Sequence, residues 1–404
     1  MALLQDLAGP KVRVGDFSGG SIQLESGSEW TLTTRQADEV SQEIFVDYEG
    51  LPGEVEAGDR ILLADGAIEL RVDRVEGPDI RCRVMFGGQL GSRKGLNCPA
   101  GLFGLAILDA RDVADLHFGL DQGVEYVGLS FVRSADDVRR AREEIERYPN
   151  GTHDTQIIAK IETQAALDHF DEILEQADGV MIARGDLSIE TPFSRVPVLQ
   201  KQLIAKANRA AKPVITATQM LYSMVTSPRP TRAEVADVAN AVLDGSDAVM
   251  LSEETAVGCD PVRAVEVMDC IARDTEAGGF RVGWDGPFSE VDLTVGDLEA
   301  MALAACRLAE DLGVDFLMTV SRTGRMARLA AKFRPRQPIL AASPNRTTFR
   351  RLALIRGVVP VRLSSSMSDY EDMARTAVEL ARREGWENKS FVLVSEDFVR
   401  RGRF

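Results

Sequence analysis

The chain of 404 residues is 45% hydrophobic and 27% charged, a composition that supports large buried cores and two or three globular domains. Its formal net charge of −16 disfavours broad binding to nucleic acid or to an anionic membrane surface, although a small anionic substrate in a locally basic pocket is compatible with it. The sequence contains no signal-peptide pattern and no apolar run long enough to span a bilayer, so we expect a cytoplasmic protein.

Short segments of alternating apolar and polar residues fill the first quarter of the chain. EWTLTT, EIFVDY, RILLADGAIELRV and IRCRVMF are separated by glycine, proline and aspartate, as in β-strands joined by tight turns. We therefore predict a β-rich domain over residues 11–97.

A different pattern follows, in which apolar β-branched runs alternate with amphipathic helical stretches. The runs are EYVGLSF, QIIAKIE, GVMIARG, PVITATQ and DAVMLSE. One intervening helix should begin at a capping box of Thr231 and Glu234 and end at Gly245. Such a repeat predicts parallel strands buried on both faces, as in a (β/α) barrel formed by residues 1–10 and 98–277.

The last part of the chain predicts a second α/β unit. Residues 278–292 lose periodicity and suggest a linker, and a new helix–strand alternation occupies residues 293–404. Its predicted strands are DFLMTV, QPILAAS, GVVPVRL and FVLVS. We predict an open α/β domain there.

Polar and charged residues stand where five successive barrel strands should end. They are Ser130 with Arg133, Lys160 with Glu162, Arg184 with Asp186, Thr216 with Thr218, and Ser252 with Glu254. The carboxyl ends of barrel strands meet at one rim, which is where catalytic groups gather in this architecture. The sequence therefore predicts a functional site at this rim.

The residue types at the rim suggest chemistry on anions. Glu162 and Asp186 offer the hard oxygen ligands that Mg²⁺ or Mn²⁺ prefers. Lys160 is a point charge that can stabilise a phosphoryl oxygen or an enolate, and the turn at Gly185 presents backbone N–H groups to a carboxylate. A purely structural salt bridge between Lys160 and Glu162 is the alternative, and Arg184 is equally consistent with holding the two acids in position.

Cysteines and histidines do not suggest a site. Five scattered cysteines lack any CxxC spacing, which indicates reduced core or surface thiols, and the three histidines are dispersed.

Five motifs together resemble the pyruvate kinase family. They are GSRKGLNCPAG, IIAKIET, VMIARGDLSIETP, VITATQML and SPRPTRAEVADVANAVLDGSDAVMLSEETAVG, in that order. The resemblance implies a (β/α)8 TIM-type barrel with six strands visible here, an inserted β-barrel domain that closes over the nucleotide, and a C-terminal regulatory α/β domain. It also implies transfer of phosphate from phosphoenolpyruvate to ADP in glycolysis, giving pyruvate and ATP, by a cytoplasmic homotetramer.

The resemblance assigns roles to individual residues. Glu162 and Asp186 would bind the essential Mg²⁺ or Mn²⁺, and Lys160 would stabilise the transferring phosphoryl group and the enolate. The carboxylate of the substrate would be held by Gly185, Asp186 and Thr218, with Ser252 beside the substrate. Arg13 would be a catalytic residue that contacts phosphate and the nucleotide, and Asp65 and Lys94 would also bind the nucleotide. Asp6 would be the residual monovalent-cation position.

The chain also departs from the family pattern. Its motif LLQDLAGPKVR matches the family's third barrel strand. The family's first two strands would therefore come from upstream sequence or from another chain. In the family, those two strands carry an arginine, an asparagine and a serine that bind phosphate and a monovalent cation. We expect the 404-residue chain alone to be inactive and to associate through its open sheet edges.

Single substitutions within the motifs have their own implications. Lys11 and Leu7 replace a glutamate and a threonine of the third-strand motif, which predicts that added K⁺ is not required. Thr163, Ser188 and Glu253 stand where the family usually has Asn, Gly and Gly, and Glu253 adds negative charge that could weaken activity.

A phosphorylated effector is expected at residues 321–325. Ser321, Thr323 and the backbone of Gly324 could hold a phosphate at a helix start, with charge from Arg322 or Arg325. An ordinary capped helix start is the alternative.

Two further functions fit the rim chemistry. A metal-dependent 2-oxoacid aldolase or lyase also stabilises a pyruvate enolate, but it has no nucleotide for an inserted β domain to cover. A catalytically inactive relative that acts as a binding subunit is suggested by the missing strands and by Glu253.

Overall fold

A computed structural model of the chain describes residues 1–37, 41–64, 66–98, 104–149, 154–278, 296–364 and 369–403. Asp65 and almost all of the linker predicted over residues 278–292 lie outside this part. None of the helices within these ranges combines the length and the apolar character needed to cross a membrane. The described residues form three packed units, as the sequence predicted.

The first strand of the chain belongs to one unit and the next eight belong to another. These strands are β1 Leu4–Asp6, β2 Ser21–Leu24, β3 Glu29–Thr33, β4 Glu43–Phe45, β5 Arg60–Leu63, β6 Ile68–Glu76, β7 Asp79–Phe86, β8 Gly88–Gly91 and β9 Leu96–Asn97. The sheet order is β4-β3-β7-β6-β5-β9, and β2 pairs with β8. Alternate residues of β6, namely Ile68, Leu70 and Val72, are buried, which is why this alternating segment forms a strand with one face in the core of the β unit.

The barrel unit continues with five parallel strands and the helices between them. These elements are α1 Ala110–Gln122, β10 Tyr126–Leu129, α2 Ala135–Arg147, β11 Gln156–Ile161, α3 Gln164–Asp168, α4 Phe170–Gln176, β12 Gly179–Ala183, α5 Arg184–Glu190, α6 Val196–Arg209, β13 Val214–Ala217, α7 Arg232–Asp244, β14 Ala248–Met250, α8 Glu253–Ala256 and α9 Pro261–Ala277. The sheet order is β1-β10-β11-β12-β13-β14, with every pair parallel. All six predicted strands are confirmed, and their carboxyl ends meet at one edge.

Local signals explain where the barrel helices begin and end. The Thr231 side chain accepts the Glu234 N–H at 3.2 Å, and the Glu234 carboxylate accepts the Thr231 N–H at 2.7 Å. This confirms the predicted capping box of α7. Gly245 ends the same helix in the left-handed conformation with φ 103°, which a residue with a side chain rarely adopts.

The C-terminal unit is an open α/β sheet. Its elements are α10 Asp297–Leu312, β15 Phe316–Val320, α11 Arg325–Lys332, β16 Ile339–Ser343, α12 Arg346–Arg351, β17 Val358–Arg362, α13 Tyr370–Ala381, β18 Ser390–Val394 and β19 Val399–Arg403. The strand order is β17-β16-β15-β18-β19. The four predicted strands are confirmed, whereas the antiparallel edge strand β19 was not predicted because its sequence VRRGR has no apolar alternation.

The C-terminal unit is joined by ion pairs to the end of the barrel opposite the predicted rim. Arg334 donates to the Asp247 carboxylate at 2.9 Å and to the Gly245 carbonyl at 2.7 Å. Arg350 pairs with the buried Glu125 at 3.0 Å. Because Asp247 and Glu125 precede their strands, these contacts leave the carboxyl ends of the strands accessible.

The cysteines provide a test of burial. Cys82, Cys98 and Cys306 are buried and Cys259 and Cys270 are exposed, with no disulfide among the five. Burial raises the pKa of Cys82 and of Cys306 to about 12, so both thiols stay protonated near neutral pH. We expect iodoacetamide at about pH 8 to label Cys259 and Cys270 first, since the thiolate is the reacting form. Peptide mass mapping of native and denatured protein checks this, and labelling of native Cys82 or Cys306 before Cys259 would contradict it.

Candidate active site

Lys160 is the centre of a cluster of charges at the predicted rim. Its ammonium lies 3.0 Å from an Asp6 carboxylate oxygen and 3.1 Å from a Glu162 oxygen. It also donates to the Ser130 hydroxyl at 2.7 Å, and that hydroxyl donates to the Leu7 carbonyl. Residues from the ends of β1, β10 and β11 thereby fix one positive charge in place. The ion pair of the structural alternative is present, but as part of a larger cluster.

Glu162 is an unusually buried carboxylate. Only 1% of the residue is exposed, and the Phe131 backbone N–H donates to its second oxygen at 2.7 Å. Burial raises the pKa of Glu162 to about 7, the nearby Asp186 acts in the same direction, and Lys160 opposes them. For Lys160, burial lowers the pKa, but the attraction of Glu162 and Asp6 outweighs it and raises the pKa above its usual value. Lys160 is therefore a permanent cation near neutral pH.

The turn after β12 joins the strand ends of β12 and β13. The Gly185 N–H donates to the Thr218 hydroxyl at 2.7 Å, and that hydroxyl donates to the Ala217 carbonyl at 2.7 Å. Asp186 is half-buried in the first turn of α5 and makes no hydrogen bond or ion pair with the described residues. Gly185, Asp186 and Thr218, predicted to hold a carboxylate, therefore lie side by side.

Arg184 does not contact either of the acids Glu162 and Asp186. Its guanidinium donates to Asp237 on α7 at 2.7 Å and to the Thr218 carbonyl at 2.9 Å. The side chain is 12% exposed. Arg184 thus positions the backbone of Thr218, and it does not pair with Glu162 or Asp186 as the sequence-based alternative suggested.

Other predicted rim residues have structural roles. Glu254 is 1% exposed and accepts the Leu221 and Ser252 N–H groups at 3.0 and 2.8 Å, so it joins the loops after β13 and β14. The Thr216 hydroxyl is buried against Ser246. Arg133 pairs with Asp137 on α2. Ser252 itself is half-buried at the strand end where it was predicted.

The predicted nucleotide residues lie in the β-rich unit. The backbone of Arg13 forms an isolated β-bridge with Gly95, and the Arg13 guanidinium donates to the Arg93 carbonyl at 3.0 Å. Lys94, which follows Arg93 in the chain, is exposed. Neither side chain bonds to the rim cluster within the described ranges. Lys11 packs on Gly95, because a Cβ added to that glycine would lie 2.7 Å from Lys11 Cε. Asp65 lies outside the described residues.

The substitutions from the family pattern are accommodated locally. Thr163 caps α3 by accepting the Ala166 N–H at 3.0 Å, and the Ser188 hydroxyl donates to the Gly185 carbonyl at 2.7 Å. The Glu253 side chain is exposed. Its negative charge is therefore screened by solvent, which limits the weakening of activity expected from sequence.

The rim chemistry fits a divalent cation held together with a substrate. When all three acids are ionised, Asp6, Glu162 and Asp186 carry three negative charges against the one positive charge of Lys160, and a bound cation would favour that ionised state of Glu162. Across the described ranges, no three His, Cys, Asp or Glu side chains converge to hold a metal ion by themselves. Mg²⁺ is commonly bound through one or two carboxylates plus substrate oxygens and water, so Glu162 and Asp186 match that mode.

The start of α11 in the C-terminal unit resembles a capped helix. The Ser321 hydroxyl accepts the Gly324 N–H at 3.0 Å, and Thr323 accepts the Arg325 N–H at 3.3 Å. Gly324 adopts φ 75°, and a Cβ there would lie 3.1 Å from Thr348 and Leu352 atoms. Side chains of the loop therefore already accept the Gly324 N–H, which the effector prediction assigns to a phosphate, and the neighbouring Arg325 N–H.

The fold and the rim together define the class of protein. A parallel α/β barrel with an inserted β unit carries a fixed ammonium, the Glu162 and Asp186 carboxylates and the turn at Gly185 at one rim, an arrangement that fits an enzyme that stabilises anionic intermediates with a metal ion. The chain belongs to the pyruvate kinase family. Residues 1–265 match the family described as "Pyruvate kinase, barrel domain", and residues 299–401 match "Pyruvate kinase, alpha/beta domain".

Individual relatives agree with this assignment. The chain is 46% identical to pyruvate kinase 2 of Synechocystis over 89% of its length, and 43% identical to the pyruvate kinase of Thermococcus litoralis over 92%. It spans 60% of the first relative's length and 78% of the second's. A crystal structure of a pyruvate kinase from Cryptosporidium parvum matches with a TM-score of 0.91 and 36% identity, covering 100% of this chain and 84% of that one.

Proposed function

We propose that this protein transfers the phosphoryl group of phosphoenolpyruvate to ADP in glycolysis, giving pyruvate and ATP. The observation that carries the proposal is the Lys160 ammonium held between Asp6 and Glu162, beside the turn of Gly185, Asp186 and Thr218, in a chain of the pyruvate kinase family. The family match favours phosphotransfer over aldol cleavage. The β-rich unit supports nucleotide binding, because its Arg13 and Lys94 supply positive charge for phosphate oxygens.

The chain's own residues suggest how each part of the reaction is stabilised. Lys160 has three oxygen partners that fix its position, so its charge is preorganised for the transferring phosphoryl group and the enolate left behind. The Asp186 N–H and the Thr218 hydroxyl would hold the carboxylate of phosphoenolpyruvate, once the Thr218 hydroxyl proton turns from the Ala217 carbonyl to the substrate. Ser252 flanks this turn, and closure of the β-rich unit would exclude water that competes with ADP for phosphate.

The pyruvate kinase family is generally metal-dependent, and we propose Mg²⁺ or Mn²⁺ at Glu162 and Asp186. When bound, the cation neutralises charge on phosphate and enolate oxygens. The Glu162 and Asp186 carboxylates would hold the cation beside the Lys160 ammonium, so that both positive charges face the substrate. We also propose a homotetramer in the cytoplasm, in line with five cysteines that form no disulfide.

Added K⁺ is not required in this proposal. The Asp6 carboxylate at the residual monovalent-cation position already has the Lys160 ammonium as a partner. Lys11 supplies a further positive charge in the same motif of the sequence. We expect turnover with saturating Mg²⁺ to be nearly unchanged when Na⁺ and K⁺ are removed. The variant Lys11→Glu should acquire K⁺ activation, and strong K⁺ activation of the unmodified enzyme would contradict the proposal.

A phosphorylated effector at residues 321–325 is a separate proposal, supported by the exposed Arg325 and by the adjacent Arg322. A bound phosphate would have to replace Ser321 and Thr323 as the acceptor of the Gly324 and Arg325 N–H groups. Thermal unfolding with AMP and with sugar phosphates tests it. We expect at least one to raise Tm and Arg325→Gln to abolish the rise, whereas no change with any compound would support the capped helix start.

Phosphotransfer is tested with protein expressed from its own locus, so that any upstream sequence is included. A coupled assay with phosphoenolpyruvate and ADP is run beside an assay of aldol cleavage. We expect Mg²⁺-dependent pyruvate formation and no cleavage. Cleavage without phosphotransfer would support the aldolase, and binding of phosphoenolpyruvate without either reaction would support an inactive binding subunit.

A further inference from the structure

We propose that Arg184 and Asp237 form a positioning pair that holds Thr218 in a left-handed backbone conformation, and thereby sets the direction of the Thr218 hydroxyl in the active site. The inference deepens the proposed phosphotransfer function and rests on it, because it concerns the turn that receives the carboxylate of the substrate. Arg184 acts through Thr218 and does not contact the reacting groups.

The geometry of the Arg184 guanidinium is the first argument. One nitrogen donates to Asp237 at 2.7 Å and the other donates to the Thr218 carbonyl at 2.9 Å. The same two nitrogens also contact the Gln200 side-chain oxygen at 3.3 Å and the Met220 sulfur at 2.8 Å. A planar fork with partners on α6, α7 and the loop after β13 has little freedom to turn toward the rim.

The backbone of Thr218 is the second argument. Thr218 adopts φ 69°, and Gln219 follows with φ 55°. A β-branched residue is an outlier at positive φ, and such conformations persist where the surrounding structure over-determines them. The Arg184 hydrogen bond to the Thr218 carbonyl supplies that constraint, because a change of φ and ψ would rotate the peptide plane that carries this oxygen.

The third argument connects the strained residue to the substrate turn. The Thr218 hydroxyl accepts the Gly185 N–H at 2.7 Å, and a Cβ added to Gly185 would lie 3.4 Å from the same hydroxyl oxygen. Arg184 immediately precedes Gly185 in the chain. The pair therefore fixes both residues of the Gly185–Thr218 contact. The Arg184 side chain holds the Thr218 carbonyl, and the Arg184 backbone leads directly into Gly185.

Two kinds of measurement test the pair. In a crystal structure of the Arg184→Gln variant, we expect Thr218 to relax to negative φ and to lose the hydrogen bond from Gly185. In the assay, kcat should fall and KM for phosphoenolpyruvate should rise. The two changes together should lower kcat/KM about 100-fold, the loss expected when a reacting group is misplaced by about 1 Å. KM for ADP should not change. Asp237→Asn, at a side chain that is 37% exposed, should fold normally and show a smaller loss of the same kind.

Matched variants separate positioning from stability. Arg184→Lys keeps the charge but not the fork, so it should recover only part of the activity. Arg142→Gln removes a comparable ion pair, with Asp178 at 2.8 Å, near the opposite ends of the strands, and should lower Tm without a change in kinetics. The proposal is overturned when Thr218 keeps its positive φ and its Gly185 bond in Arg184→Gln, or when the kinetics match those of Arg142→Gln. Absence of phosphotransfer in the unmodified protein expressed from its own locus would refute the proposed function, and the crystal structures would still decide the positioning role.

Discussion

Asp186→Ala is expected to lower kcat by at least about 1,000-fold while the fold is retained. The Asp186 side chain is half-buried without a hydrogen bond or ion pair to the described residues, so its removal breaks no bond of either kind there and relieves its repulsion of Glu162. It does remove one of the two carboxylates that would hold the divalent cation beside Lys160. Turnover at saturating Mn²⁺, together with Mn²⁺ binding measured by electron paramagnetic resonance, checks both consequences.

A matched control is available on the same unit. Asp171 pairs with Lys206 on the barrel surface, and its side chain is 74% exposed. Asp171→Ala should leave Mn²⁺ binding and turnover unchanged, because a pair so exposed contributes little to stability. Near-normal turnover of Asp186→Ala would remove Asp186 from the metal site.

The strand-end pattern predicted which residues converge at the rim, because parallel strands bring their carboxyl ends together. Lys160 and Glu162 lie two residues apart in sequence and form an ion pair in the structure. The pattern also led to Asp186 and Thr218, which lie at neighbouring strand ends. These residues follow from local sequence and barrel geometry alone.

The partners that orient these residues could not be predicted in the same way. Asp6 contacts Lys160 from the first strand, and Asp237 contacts Arg184 from the middle of a helix. Nothing in the segment around Asp237 distinguishes it from a solvated helix residue. Long-range side-chain contacts of this kind depend on packing that single-sequence patterns do not contain.

The same pattern also selected residues with structural roles. Glu254 and Thr216 stand at strand ends, but Glu254 satisfies two backbone donors and Thr216 bonds to Ser246 inside the barrel. Buried polar groups require such partners whether or not they are catalytic. The residue type at a strand end therefore indicates a candidate, and only its bonding partners separate a structural acid from a catalytic one.

Lys160→Met is expected to lower kcat about 1,000-fold, the upper range for loss of a single group that stabilises charge in a transition state. Asp6, Ser130 and Glu162 fix the Lys160 ammonium at the rim, and the methionine side chain carries no charge to replace it. Binding of Mn²⁺ at saturating concentration should persist, because Glu162 and Asp186 remain. This outcome differs from that of Asp186→Ala, in which metal binding and turnover fall together.

A second variant at position 160 separates a loss of catalysis from a loss of folding. Removing the ammonium leaves Glu162 buried without its cation, which is costly for stability. Lys160→Arg keeps an ionic partner for Glu162 and Asp6, but its planar fork places the charge differently, so we expect a loss of about 100-fold with the unfolding temperature retained. Full turnover of Lys160→Arg would show that any positive charge suffices there. Full turnover of Lys160→Met would show that the ion pair at the rim is structural, as the simplest alternative interpretation of the sequence holds.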